Sequence, residues 1–225
     1  MCVNYVPVPQ SVLDTSFDAT MEAEAEWEME TWQDYPAPII LASQEEGRRA
    51  VVASYGMIPK TRIAPGTKRF SSMNARAETI GQLRSFAASW QSCQLCLVPM
   101  TAFFEPNYES GLPVRWKIGM QDDSPFAVAG LYRTWREENG TISYSFTQIT
   151  INADDHPLMK RFHKPDDEKR SLVIVPVGEY DDWLNCRSPE LARSFLSLFP
   201  AQTMKADAAP KPVQVQAQAQ ASLFD

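Results

Sequence analysis

The residue with the most distinctive chemistry in this chain is Cys2, which directly follows Met1. Removal of that methionine would leave a terminal cysteine, with an α-amine of pKa about 7.7–8.0 beside a thiol of about 8.5. Both groups titrate near neutrality and together form a 1,2-aminothiol. Such a pair condenses with an aldehyde to a Schiff base and then closes to a five-membered thiazolidine, which an internal cysteine cannot do. A plainer explanation stands beside it: position 2 carries a residue small enough to allow methionine removal.

Other segments carry residues suited to the same chemistry. Phe103-Phe104-Glu105-Pro106 ends an apolar run with a carboxylate among aromatics, where desolvation raises a pKa and suits general acid/base work. His163 sits in Arg161-Phe-His-Lys-Pro165, and Met73-Asn74-Ala75-Arg76-Ala77-Glu78-Thr79 stands before an expected helix. Each of these, taken singly, reads more readily as structural. Cys93 and Cys96 form a CxxC, but no second pair completes a metal set and Cys96-Leu-Val-Pro-Met reads as a buried strand. Cys186, ending a helical stretch, also reads as structural.

Several function classes are excluded. The 9 glycines never fall two to five positions apart, so neither GxGxxG nor GxxxxGK is present to cradle a phosphate. His156 and His163 lack HExxH spacing, and there is no GxSxG elbow. No metal or cofactor is expected. The formal charge of −7 argues against a nucleic-acid partner, but the distribution of charge argues for one. No Lys or Arg precedes Arg48, whereas Arg48, Arg49, Lys60, Arg62, Lys68, Arg69 and Arg76 then follow without an acid between Gly47 and Ala77. A second basic cluster comprises Lys160, Arg161, Lys164, Lys169 and Arg170. Local positive charge is what binding of a polyanion requires, although solvated loops would give the same pattern.

These residues need a scaffold. The 225 residues, 44% hydrophobic, suffice for one domain with a tail. With no apolar run long enough for a membrane span and no signal peptide, a cytoplasmic, membrane-free protein is expected. Residues 11–32 suit a Glu- and Ala-rich helix. Strand-like runs follow at 38–42, 51–55, 94–100, 126–132, 143–151 and 172–177. Ile80, Leu83, Ala87 and Trp90 predict a helix over 79–90, and Ser188-Pro189-Glu190 caps another. The mixture predicts an α+β fold. Beyond Pro200 the composition shifts to Ala, Gln, Lys, Pro and Val, predicting a folded domain over 1–200 and a flexible linker over 201–219. A terminal peptide, 220–225, carries Gln220, Leu223 and Phe224.

Cys2 after Met1, Tyr55-Gly56, Asn74-Ala-Arg-Ala-Glu-Thr79, Cys96-Leu-Val-Pro running into Phe104-Glu105, and a following histidine together resemble the SRAP family, the SOS-response-associated peptidases or abasic-site processing proteins. The resemblance covers roughly 1–200. It implies a mostly antiparallel sheet curved into a barrel-like core with peripheral helices, and a cleft for single-stranded DNA. It implies self-removal of Met1 and capture of an abasic-site aldehyde by Cys2 as a thiazolidine DNA–protein cross-link during the DNA damage response, in a bacterial, nucleoid-associated setting. Under it, Asn74 holds the Cys2 terminus and neighbouring DNA, Arg76 binds the flanking phosphate, and Glu105 shuttles protons. His163 assists proton transfer and cross-link reversal, and Thr150 contacts the backbone beside the lesion.

The chain also departs from the family pattern. Cys2-Val3-Asn4 replaces Cys-Gly-Arg, and the paired tryptophans common to the family are missing from the segment 60–73. An insertion spanning 164–171 follows His163. Lys60, Arg62, Lys68 and Arg69, with Arg161, are the expected substitute phosphate contacts. The ending Gln220-Ala-Ser-Leu-Phe224 resembles the bacterial sliding-clamp binding peptide and implies that partner. Two other readings remain: a cysteine peptidase acting on other proteins, and a non-enzymatic single-stranded-DNA accessory.

Overall fold

The computed structural model describes residues 3–43, 47–68 and 70–211. Cys2, Arg69, Gln220, Leu223 and Phe224 lie outside the described residues. The strands are β1 (Tyr5–Pro7), β2 (Ala19–Met21), β3 (Pro36–Ala42), β4 (Arg48–Tyr55), β5 (Asn74–Arg76), β6 (Leu95–Asn107), β7 (Val114–Met120), β8 (Phe126–Arg136), β9 (Ile142–Asn152), β10 (Arg170–Leu172), β11 (Ile174–Val175) and β12 (Met204–Ala208). Short helices accompany them: α1 (Gln10–Phe17), α2 (Ala87–Gln91), α3 (Tyr180–Asn185) and α4 (Pro189–Ala192).

The sheet closes into a ring in the order β8, β9, β4, β3, β6 and back to β8. The β9–β4 pairing is parallel and the other four are antiparallel, so the expected barrel-like α+β core holds. The central strands are apolar at successive positions because both faces are buried. Ile39 and Leu41, Cys96 and Val98, and Val128 join one cluster with Tyr55 and Phe146. Ile40, Leu97, Ala127 and Ala129 alternate with them and meet Leu13 and Phe17 of α1, Trp90 of α2, and Tyr180 and Trp183 of α3. The Trp183 indole N–H donates to the Cys96 carbonyl at 2.9 Å, and the Tyr180 hydroxyl accepts from Ala127 N at 3.1 Å, seating α3 on the ring. Gly130 is required by close approach: a Cβ there would lie 2.8 Å from both Cys96 Sγ and the Thr147 carbonyl oxygen. Among the described residues no helix is long and apolar enough to cross a membrane.

Three segments differ from expectation. The helix expected over 11–32 stops at Phe17, where Asp18 turns left-handed at φ 48° and donates its N–H to Asp14 O. Beyond Phe17 the glutamates have no basic i+4 partner and no apolar stripe to bury, so β2 and an irregular strap replace the helix. Over 79–90 most residues form turns and only Ala87–Gln91 is helical. The linker expected from 201 instead turns through Ala201–Thr203 into β12, which pairs antiparallel with β7 from Met204↔Met120 to Ala208↔Trp116. An otherwise bare β7 edge and the burial of Met204 outweigh the low-complexity composition there.

Candidate active site

The short strand β5 runs parallel to β9, with Asn74 opposite Gln148 and Arg76 opposite Thr150. Ala75 points into the core, so Asn74 and Arg76 share the other face. Asn74 is buried and Arg76 exposed. Beneath them the Tyr55 hydroxyl donates to Gln148 Oε1 at 3.0 Å. Tyr55 stacks on Phe146 at 5.1 Å and takes the edge of Tyr5 at 5.3 Å.

Glu105 stands near the end of β6, only 3% exposed. Strand β1 lies alongside, with Tyr5 opposite Phe103 and the Phe104 N–H donating to the Asn4 carbonyl at 3.3 Å. Asn4 is held in turn through its amide on Glu30 Oε2 at 2.9 Å, an oxygen that Arg115 also binds at 2.8 Å. The chain returns to Glu105 after β9. The side chain of Asn107 donates to Arg161 O at 3.1 Å, Asn107 bridges to Phe162, and the His163 N–H donates to Pro106 O at 2.9 Å. His163 pays for this entry angle with a left-handed φ of 65°, a strained conformation for a non-glycine residue and one that recurs at functional positions.

The result is a buried acid/base pair, with His163 Nδ1 3.4 Å from Glu105 Oε2. His163 Nε2 lies 3.1 Å from the Arg170 carbonyl, which can only accept, so Nε2 carries the hydrogen. In the neutral ring Nδ1 is then an acceptor facing Glu105. Burial pushes the Glu105 carboxyl up to about 7, and burial draws His163 down to about 4. Near neutral pH the carboxyl can give or take a proton beside an uncharged imidazole.

The cations fall into three groups. Arg76 Nη1 donates to Glu168 Oε2 at 2.6 Å, while Arg170, 2% exposed, forks onto Glu78 at 2.8 and 2.9 Å and reaches Glu168 Oε1 at 2.7 Å. Thr150 is buried, and its hydroxyl accepts from Arg170 Nη2 at 3.1 Å. Arg161, ion-paired to Glu109 at 2.9 Å and stacked over Trp116 at 4.9 Å, lines a cleft with Tyr108, Lys160, His163 and Lys169. Lys60 and Lys68 are exposed on the segment between β4 and β5, and Arg62 pairs with Glu137 beneath the Trp135 ring. Glu105 and His163 thus meet, as do Arg76 and Thr150 through Arg170. Lys60 and Arg62 line a different cleft with Asp34 and Tyr144. Sequence reading passed over Gln148 and treated Arg170 as one more surface cation. Its partner Glu78, the first acid after a long basic stretch, was the available signal.

The family model for SOS response associated peptidase (SRAP) matches residues 1–216. The chain is 30% identical to abasic site processing protein YoaM of Bacillus subtilis over 76% of its own length and 74% of YoaM. It is also 30% identical to abasic site processing protein YobE of the same species, over 61% of this chain and 60% of YobE. The match therefore spans less than two thirds of YobE. A crystal structure of a Bordetella bronchiseptica protein superposes with TM-score 0.82 at 34% identity, over 92% of this chain and 99% of that one. A Bacteroides thetaiotaomicron protein shares the fold with TM-score 0.77 at 22% identity, over 93% of each chain.

Proposed function

The chain belongs to the SOS response associated peptidase family, and from that premise we propose that it processes abasic sites in single-stranded DNA by covalent capture at Cys2. The observation that carries this reading is the buried Glu105–His163 pair beside β1. Asn4 hydrogen-bonds the residue preceding Glu105, and only Val3, two peptide steps of at most ~7 Å, separates Asn4 from Cys2.

Once Met1 has been hydrolysed away, the Cys2 α-amine attacks C1′ of the ring-opened sugar. Glu105, as carboxylate, accepts the amine proton, and as acid it returns a proton to the departing hydroxyl, so that one water leaves and an imine forms. The Cys2 sulfur then adds to the imine carbon as the thiol proton passes to the imine nitrogen, so the C=N π bond is replaced by the C–S and N–H bonds of the thiazolidine, with no oxidant or reductant consumed. His163 exchanges protons with Glu105 through Nδ1, and Asn74 steadies the Cys2 terminus. Arg76 meets the phosphate flanking the lesion. The Thr150 hydroxyl, engaged by Arg170, contributes by fixing the strand behind Arg76. Lys60, Lys68, Arg69 and Arg161 serve as further phosphate contacts in this reading, with Arg62 held by Glu137. An abasic position offers no base to read, so backbone contacts supply most of the affinity.

Incubating the purified protein with uracil-glycosylase-treated single-stranded DNA and running a denaturing gel tests the proposal. A covalent shift is expected from wild type and none from Cys2→Ser or from a protein extended at its N-terminus. Wild type that gives no shift overturns the reading. Repeated cleavage of added peptides would instead favour a peptidase acting on other proteins. The tail residues Gln220, Leu223 and Phe224 are proposed to bind the sliding clamp, and deleting 220–225 should abolish clamp pull-down.

A further inference from the structure

Glu168 is held from three directions. Its Oε1 accepts from Arg170 Nη1 at 2.7 Å and from the Asn152 side-chain amide at 3.1 Å, and its Oε2 accepts from Arg76 Nη1 at 2.6 Å. Arg170 cannot follow an outside anion. It is 2% exposed, and both terminal nitrogens are engaged, Nη1 by Glu168 and Glu78 Oε1 and Nη2 by Glu78 Oε2 at 2.9 Å and the Thr150 carbonyl at 2.7 Å. The Arg76 side chain is 45% exposed and opens to solvent. The segment bearing Glu168 is tied down on its other side by the Lys169 N–H on Asp154 Oδ1 at 2.8 Å. A carboxylate is thereby fixed against the one guanidinium of this group that faces solvent, setting one anionic oxygen, Oε2, where a phosphate oxygen would bind.

We propose that Glu168 is a built-in competitor for Arg76, occupying the guanidinium until a DNA phosphate displaces it and so setting how tightly the chain grips its substrate. This rests on the abasic-site reading for the identity of the anion. A half-exposed ion pair is weak and screened by salt, so phosphate can exchange into it. The carboxylate stays behind because Arg170 and Asn152 retain it, and its charge then opposes the arriving phosphate. Without Glu168, Arg76 would be open and that opposition absent.

The test is fluorescence anisotropy with labelled single-stranded DNA carrying a tetrahydrofuran abasic analogue, which has no aldehyde and so reports grip without capture. Glu168→Gln is expected to tighten binding by roughly 5- to 10-fold at low salt, with the gain shrinking as salt screens the charge. In an Arg76→Ala background the same substitution should change affinity less than about 2-fold, because the contact it relieves no longer exists. Asp166→Asn removes an equal charge two positions away and should also change affinity less than about 2-fold. Thermal melts verify that each variant is folded, and Arg170 keeps Glu78 throughout. Unchanged or weaker binding by Glu168→Gln, or an equal gain without Arg76, overturns the proposal. Cross-linking of uracil-glycosylase-treated DNA by wild type is read separately, so failure of the abasic-site reading appears there whatever Glu168 does.

Discussion

At the residue scale, the pair of Glu105 and His163 links chemistry to stability. Burial raises the folded pKa of Glu105 from 4.5 to about 7, so the folded state binds the extra proton. Its stabilising contribution is fully present below about pH 4.5 and is lost as pH rises through about 7. His163 has the opposite sense: with its pKa lowered from 6.5 to about 4, its contribution is present above about 6.5 and is lost as pH falls through about 4. Glu105→Gln should therefore gain several degrees in melting temperature relative to wild type between pH 5 and pH 8, the shift being on the order of 3 kcal/mol at most. Calorimetry at the two pH values checks this, and a constant difference would show that the carboxyl is not desolvated. The same variant should slow capture by about 100-fold or more and remove the dependence of its rate on a group titrating near 7. Taken alone, Glu105 reads in the sequence as a structural carboxylate, and it stands out only through the family resemblance carried by Phe104-Glu105. The left-handed turn at His163 was not legible, since it arises from a hydrogen bond to Pro106, some 57 positions earlier in the chain.

At the element scale, the strands were legible wherever their burial on two faces left an unbroken apolar run, as in Leu95 to Met100 and Phe126 to Leu131. Those held mainly by pairing, with a single buried apolar side chain or two, were not. Strand β5 is three residues of mixed polarity held by the ladder to β9, and β12 is five residues without an aromatic. Truncation after Pro200 should lower the melting temperature by roughly 10 °C, through lost burial of Met204 and an unpaired β7, and should promote aggregation through that edge. Truncation after Lys211 should leave the melting temperature within about 1–2 °C of wild type, since the described contacts of β12 all survive. Gly130→Ala tests ring packing in the same way. A methyl 2.8 Å from a backbone carbonyl forces β8 away from β9, at a cost of about 1–3 kcal/mol in chemical denaturation. Cys96→Ala should not rescue it, because the Thr147 carbonyl contact remains.

At the scale of the whole molecule, a net charge of −7 must be squared with the proposed binding of a polyanion. Acids precede Arg48 and cations follow, and many of those cations are already spent on internal carboxylates: Arg62 on Glu137, Arg161 on Glu109, Arg76 on Glu168. Counting positive charge along the chain therefore overstated what is available to DNA, because the sequence does not reveal which cations fold against acids. Affinity for single-stranded DNA should consequently be modest and fall steeply with salt. Arg76→Ala should flatten the slope of log affinity against log salt by about 1, whereas Arg62→Ala should alter it little. The ring also has a consequence in time. Strand β1 finds its partner only when β6, about 90 residues later, has been made, and His163 arrives later still. At ribosomal speeds of about 5–20 residues per second, roughly 8–30 s pass before every part of the acid/base pair exists. For that interval a newborn polypeptide carries its first strand without the buried carboxyl and imidazole that later pack beside it.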